Sequence, residues 1–261
     1  MDGVRAVLID IDGVLTVSWK PIDGAVEAFA AIRASGLPIA LLTNTTSRTR
    51  VGIARTLSDA GFPVEPDEIL TAPAATAAYL REHHPDAACT LLTSGDVTED
   101  LAGVRLVEGA DADPDVVVLG GAGPEFDYPA LNTIFGHLQR GAALVAMHRN
   151  LYWRTKDGLA LDTGAFLAGL ERAAGVEAVV TGKPAPAFFA AALAAVGVSA
   201  EQAVMVGDDL EADVLGAQDH GIPGVLVRTG KFTPDDEEGV DGRQAGHVVD
   251  SLADVPGLLG L

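Results

Sequence analysis

The chain reads as short apolar runs separated by longer stretches of helical periodicity. The runs Val4–Ile9, Pro38–Thr43, Ala88–Thr93, Asp115–Gly120, Ala143–Met147, Glu177–Thr181, Ala203–Gly207 and Gly224–Val227 are mostly continuous rather than alternating. A strand that is apolar on both faces is covered on both faces, as strands of a parallel sheet are. Between the runs, Gly24–Gly36, Arg48–Phe62 and Ala185–Gly197 carry apolar residues at helical spacing, and Gly36 and Gly197 supply stop signals. Strand and helix alternate, which predicts an α/β fold. The segment Leu151–Gly164 breaks this rhythm. There Asp157-Gly158 stands between two short strand-like pieces and predicts a hairpin. The polar, acidic and turn-rich Thr233–Gln244 reads as a surface loop.

Length and composition narrow the class. The 261 residues, 48% apolar and 21% charged, suit one large or two modest globular domains with a sizeable core. No apolar run is long enough to span a bilayer, and no basic-then-apolar leader opens the chain, so a cytoplasmic enzyme is the expectation. The single Cys89 cannot form an internal disulfide, which agrees with a reducing compartment. A formal net charge of −20 argues against a broad surface for nucleic acid or anionic membrane. It leaves room for a small anionic substrate, since a bound cation, a lysine and backbone N–H groups make a local site attractive.

The chemistry gathers where apolar runs end. In "AVLIDIDGVLTV" the first run delivers Asp10 and Asp12. In an extended chain these positions face the same side, and crowded carboxylates there call for a divalent cation or for a shared proton. Turn or cap aspartates are the plainer alternative. "LLTNTT" ends a second run in Thr43 and Asn44 before an expected helix start. A hydroxyl and free N–H groups there suit an anion, though the same residues serve ordinary capping. "VTGKPAPAFF" puts Lys183 between a run and a helix that opens on proline. "VMVGDDLEADVLGA" places Asp208 and Asp209 after a buried run and Asp213 one turn later. Carboxylates without a His or Cys cluster favour a hard cation, Mg2+ before zinc.

As a set, these residues are a nucleophile, an acid, anion donors, a cation and metal carboxylates. Metal-assisted phosphoryl transfer needs these parts. The chain here resembles the haloacid dehalogenase-like (HAD) phosphatases. "DIDGVL", "LLTN", "GKP" and "GDDLEAD" match that family's four motifs in order. The resemblance implies a Rossmann-like core with a parallel sheet and a second α/β cap domain of the C2, type IIA kind. On that pattern residues 1–75 and 179–261 form the core and 76–178 the cap. It implies Asp10 as nucleophile, Asp12 as acid and base, and Thr43, Asn44 and Lys183 as phosphoryl holders. Mg2+ would be held by Asp10, the Asp12 carbonyl and Asp208, with Asp213 as a water-mediated or outer ligand.

The implied activity is a Mg2+-dependent phosphatase of a small phosphorylated metabolite, acting through an aspartyl-phosphate. An inorganic pyrophosphatase or a phospholysine and phosphohistidine phosphatase is the alternative within the same chemistry. A phospho-aspartate signalling module or a non-catalytic phosphate binder is the alternative of another class. A signalling receiver lacks an acid two residues past its aspartate and lacks a cap-sized insertion. Asp12 and the long Asn44–Lys183 interval both speak against it. The resemblance further implies a homodimer through the cap. His148, Arg149, Asn150 and Tyr152 are candidates to read the leaving group or to stabilise the cap hairpin.

Overall fold

The computed structural model describes residues 1, 3–109, 112–155 and 158–261, with the backbone alone at 154 and 155. The chain forms two compact units, one of residues 1–43, 50–70 and 183–261 and the other of 44–49 and 71–182.

The first unit is built on a six-stranded sheet. Its spatial order is His247–Val249, Gly224–Val227, Ala203–Gly207, Ala6–Asp10, Ile39–Thr43 and Ile69–Thr71. The four pairings from His247–Val249 across to Ile39–Thr43 are parallel. The four central strands are wholly buried, so their continuous apolar runs are the pattern of a sheet covered on both faces. One face packs Val7, Ile9, Leu41, Val204, Val206 and Val225 against Phe29, Ile32, Ile53 and Leu57 of the helices Ala25–Ala34 and Arg50–Asp59. Phe29 and Phe62 meet edge to face at 5.6 Å, which adds about 0.5–1.5 kcal/mol beyond their burial. The helix Pro186–Val196 opens on proline and ends at Gly197, whose φ of 69° suits a residue without a Cβ.

The order of the strands fixes where a ligand can sit. From Ala6–Asp10 the chain continues to Ile39–Thr43 on one side, then returns much later to Ala203–Gly207 on the other. The connections therefore diverge between Ala6–Asp10 and Ala203–Gly207. In open parallel sheets, ligands bind at the carboxyl ends of the strands beside that switch point. Asp10 is the last residue of one such strand and Asp208 directly follows the other.

The second unit has its own parallel sheet, ordered Val179–Val180, Ala143–Ala146, Val116–Leu119, Ala88–Leu92 and Arg105–Leu106. The helices Ala72–His83, Tyr128–Gln139 and Thr163–Ala174 belong to it. Asp127 caps the second of these by accepting the Ala130 N–H at 2.8 Å, and Asp162 accepts the Thr163 N–H at the start of the third. Tyr152–Thr155 and Gly158–Leu161 pair as an antiparallel hairpin. The predicted Asp157-Gly158 turn lies partly outside the described residues. Thr233–Gln244, expected as a surface loop, includes a short 3-10 turn at Pro234–Glu237.

Candidate active site

Four of the predicted site segments converge in the first unit. Asp10 is 5% exposed at the end of its strand. Its neighbour in register is Leu42, so Thr43, 2% exposed, stands one position farther along the adjacent strand. Lys183, 4% exposed, donates to Asp10 Oδ1 at 2.5 Å and to the Leu42 carbonyl at 3.4 Å. It also pairs with Asp213 Oδ1 at 2.7 Å. Asp208 follows the strand Ala203–Gly207, and Asp213 lies in the π-helical turn Leu210–Leu215. Such a turn is a common device at functional sites. Carboxylate oxygens of Asp10, Asp208 and Asp213 lie within 4.8 Å of one another.

Glycines make this closeness sterically feasible. Gly207 has no room for a Cβ, because the Asp213 side chain fills that space. Gly13, at φ 89°, and Gly230, at φ 65°, both lie against the Asp208 carboxylate. Gly13 thus makes room for Asp208.

Three buried acids around one lysine set the electrostatics. Burial raises the Asp10 pKa, and Asp12 adds to the rise against the pull of Lys183. Burial, with Asp10 and Asp213 beside it, holds Asp208 well above the carboxylate range. Burial, with Asp10 and Asp209, raises Asp213 to about 7 although Lys183 opposes it. Burial works against the Lys183 charge, but Asp10 and Asp213 outweigh it and raise its pKa. The pocket therefore holds more negative charge than one ammonium balances. A divalent cation reverses that logic and lets all three acids ionise. The all-oxygen donor set suits a hard cation such as Mg2+.

Other predicted residues fall elsewhere. Asp12 lies past the strand end and is exposed, in an isolated bridge with Thr16. Its charge is near enough to Asp10 to raise the Asp10 pKa. Asn44 belongs to the segment 44–49, which groups with the second unit. The predicted helix start after Thr43-Asn44 is corrected: the next helix begins at Arg50, and 44–49 is an irregular connection. Its path is tied down inside the second unit, where Gly95 lies against the Ser47 backbone and Gly121 against the Thr46 side chain.

Among the second unit's candidates, Arg149 makes a two-pronged ion pair with Glu171 at 2.8 and 2.7 Å and also donates to the Ala178 carbonyl. That is a bracing role. His148 is 2% exposed, with Nε2 3.9 Å from Asp162 Oδ1, and its Nδ1 accepts the Asn150 N–H at 3.3 Å. Tyr152 is exposed.

One contributing loop was not singled out from the sequence. Thr229 Oγ1 donates to the Gly13 carbonyl at 2.5 Å, and the Lys231 N–H donates to Asp208 Oδ2 at 2.7 Å. Lys231 Nζ lies 3.0 Å from Asp209 Oδ2, and Asp209 also caps the π-helical turn through the Ala212 N–H at 2.9 Å. The only sequence signal for this loop is its Thr-Gly-Lys placement one residue after the strand Gly224–Val227.

A parallel sheet with acids at the ends of two strands beside its switch point, and a buried lysine paired with one of them, defines an α/β enzyme with a cation-ready acidic pocket. Comparison with known proteins narrows the class. A haloacid dehalogenase-like hydrolase model matches residues 7–106, and a HAD-hydrolase-like model matches residues 180–255. Haloacid dehalogenase-like hydrolase domain-containing protein 2 of Homo sapiens is 38% identical over 91% of this chain and 89% of its own length. Phospholysine phosphohistidine inorganic pyrophosphate phosphatase of Rattus norvegicus is 38% identical over 99% of this chain and 95% of its own. Among solved structures, a p-nitrophenyl phosphatase from Archaeoglobus fulgidus superposes with a TM-score of 0.90 at 28% identity, covering 98% of this chain and 99% of that one. A glycerol phosphate phosphatase from Mycobacterium tuberculosis, in complex with magnesium, gives 0.84 at 28% identity, covering 95% of this chain and 76% of that one. The chain belongs to the haloacid dehalogenase-like hydrolase family and is a phosphatase enzyme of that family. Among the described residues, no helix is long and apolar enough to cross a membrane.

Proposed function

We propose that the chain is a Mg2+-dependent phosphatase of small phosphorylated metabolites that works through an aspartyl-phosphate on Asp10. The observation that carries this reading is the buried Lys183 bridging Asp10 and Asp213, with the Asp208 carboxylate in the same cluster. Asp10, the Asp12 carbonyl and Asp208 would hold the cation. Asp213, already engaged by Lys183, would act from behind them. When bound, Mg2+ supplies positive charge that keeps the acids ionised and offsets charge on the phosphoryl oxygens.

In the first step an Asp10 carboxylate oxygen attacks phosphorus. The O–P bond forms as the bond to the leaving oxygen breaks, and Asp12 gives that oxygen its proton. In the second step Asp12 takes a proton from water. The water oxygen bonds to phosphorus, the Asp10–phosphorus bond breaks, and inorganic phosphate leaves. Thr43, Asn44 and Lys183 would hold the phosphoryl oxygens throughout. Such transfer is mostly positioning and charge stabilisation, which a fixed ammonium and hydroxyl provide.

Residues 76–178 would act as a C2-type cap and select the leaving group. The test is a Mg2+-supplemented screen for phosphate release from sugar phosphates, nucleotides, glycerol phosphate, pyrophosphate, phospholysine and phosphohistidine. The name of the Rattus norvegicus relative favours including the last three. Release from at least one substrate, lost in Asp10→Asn, supports the reading. Undiminished release in Asp10→Asn refutes it.

A further inference from the structure

The loop of residues 228–231 reaches the acidic pocket from the strand Gly224–Val227 and brings a second ammonium. Lys183 is committed between Asp10 and Asp213. Lys231 differs, because its side chain is 50% exposed and its Nζ engages Asp209, whose side chain is 24% exposed. Its charge nevertheless acts beyond that pair, opposing the rise in the pKa of both Asp10 and Asp208.

We propose that the Lys231 ammonium, held 3.0 Å from Asp209 and one loop residue from the Gly230–Asp208 contact, sets the pocket's balance between cation and anion. It acts through its field rather than by touching reacting atoms. A fixed positive charge disfavours a divalent cation and favours a phosphoryl anion in the same pocket. Lys231 thereby loosens Mg2+ and tightens phosphate, which suits a site that must bind both. This rests on the site reading above.

The charge is separable from the loop's structural work. The loop is pinned by the Lys231 backbone N–H on Asp208, by Thr229 on the Gly13 carbonyl, and by Arg228, which pairs with Glu237 and Asp250 at 2.6 Å each. None of these contacts uses Nζ. Because the side chain is half exposed, Lys231→Met removes the charge without opening a core cavity.

The experiment measures two affinities in wild type, Lys231→Met and Lys231→Arg, using the full chain. MgCl2 is titrated into metal-free protein by calorimetry, and inorganic phosphate is titrated at saturating Mg2+. In Lys231→Met, Mg2+ binds more tightly and phosphate more weakly, each by about two- to fivefold, the size of a half-exposed charge interaction. Both changes shrink as ionic strength rises, and Lys231→Arg restores both. Unchanged affinities in Lys231→Met, or both affinities weakened as a disordered loop would give, overturn the proposal while the site reading stands. A wild type that binds neither Mg2+ nor phosphate overturns both.

Discussion

Removing Lys183 tests the electrostatic design of the pocket most deeply. Its side chain is 3% exposed and its Nζ lies 2.5 Å from Asp10 and 2.7 Å from Asp213, whose side chains are 8% and 2% exposed. At an effective dielectric of about 20, each contact is worth roughly 6 kcal/mol of attraction. Much of that is cancelled by the cost of stripping water from three charged groups. Removing one partner of such a buried set costs about 3–5 kcal/mol, because the remaining charges are left uncompensated. Lys183→Met is therefore expected to lose that much stability at pH 8 in EDTA. The loss should shrink on acidification. Without the ammonium, the Asp10 and Asp213 pKa values rise further. The folded state then keeps protons that the unfolded chain, with carboxyls near 3.8, has released. Stability of the variant therefore falls as pH rises through that interval and recovers as pH drops toward 5. Urea denaturation of wild type and variant at pH 8 and pH 5, following the transition of the unit that carries the site, measures this directly. A loss below about 1 kcal/mol at pH 8, or an equal loss at both pH values, would refute the assignment of Lys183 as the buried counter-charge.

Three further outcomes follow from the same geometry. Metal-free wild type should also gain stability as pH falls from 7 toward 4, because Asp213 titrates near 7 when folded and at 3.8 when unfolded. Saturating Mg2+ should flatten that dependence, which thermal melts across pH with and without EDTA would register. Gly13→Ala should cost about 1–3 kcal/mol and weaken Mg2+ binding. Its Cβ would fall 2.6 Å from Asp208 Cγ and 2.9 Å from Gly230 Cα, at a backbone φ of 89°. Parallel denaturation and Mg2+ calorimetry check both parts. Asp12→Asn should retain Mg2+-dependent phosphate binding but slow turnover by about 100-fold or more, since a positioned acid contributes that much. An unchanged rate with a poor leaving group would remove Asp12 from proton transfer.

Much of the sheet was readable because burial on both faces writes itself into composition. Ala203–Gly207 and Gly224–Val227 have the bounds that their apolar runs predict, and the remaining runs each contain a strand, except that the strand of Val4–Ile9 extends one residue past the run to Asp10. The strands that escaped are short or at sheet edges. Ile69–Thr71, Arg105–Leu106 and His247–Val249 have two or three residues each, held by a neighbour's ladder rather than by their own pattern. The acidic part of the pocket was legible for a similar reason. An aspartate that follows a buried run stands at a strand's carboxyl end, and the crossing order of the strands brings such ends together. What could not be read was backbone chemistry. Lys231 fixes Asp208 through its N–H, a group every residue but proline has, and Gly230 matters for what it lacks. The path of 44–49 was equally hidden, since contacts with residues distant in sequence, such as Gly95 and Gly121, determine it.

The central claim is that Asp10 carries the phosphoryl group during turnover. The most direct measurement is mass spectrometry of protein acid-quenched while it hydrolyses a substrate found in the screen, with Mg2+ present. The Asp10-containing peptide should carry one phosphoryl group. The adduct should be absent from Asp10→Asn. Full turnover by Asp10→Asn, or a phosphoryl group found on a residue other than Asp10, would contradict it.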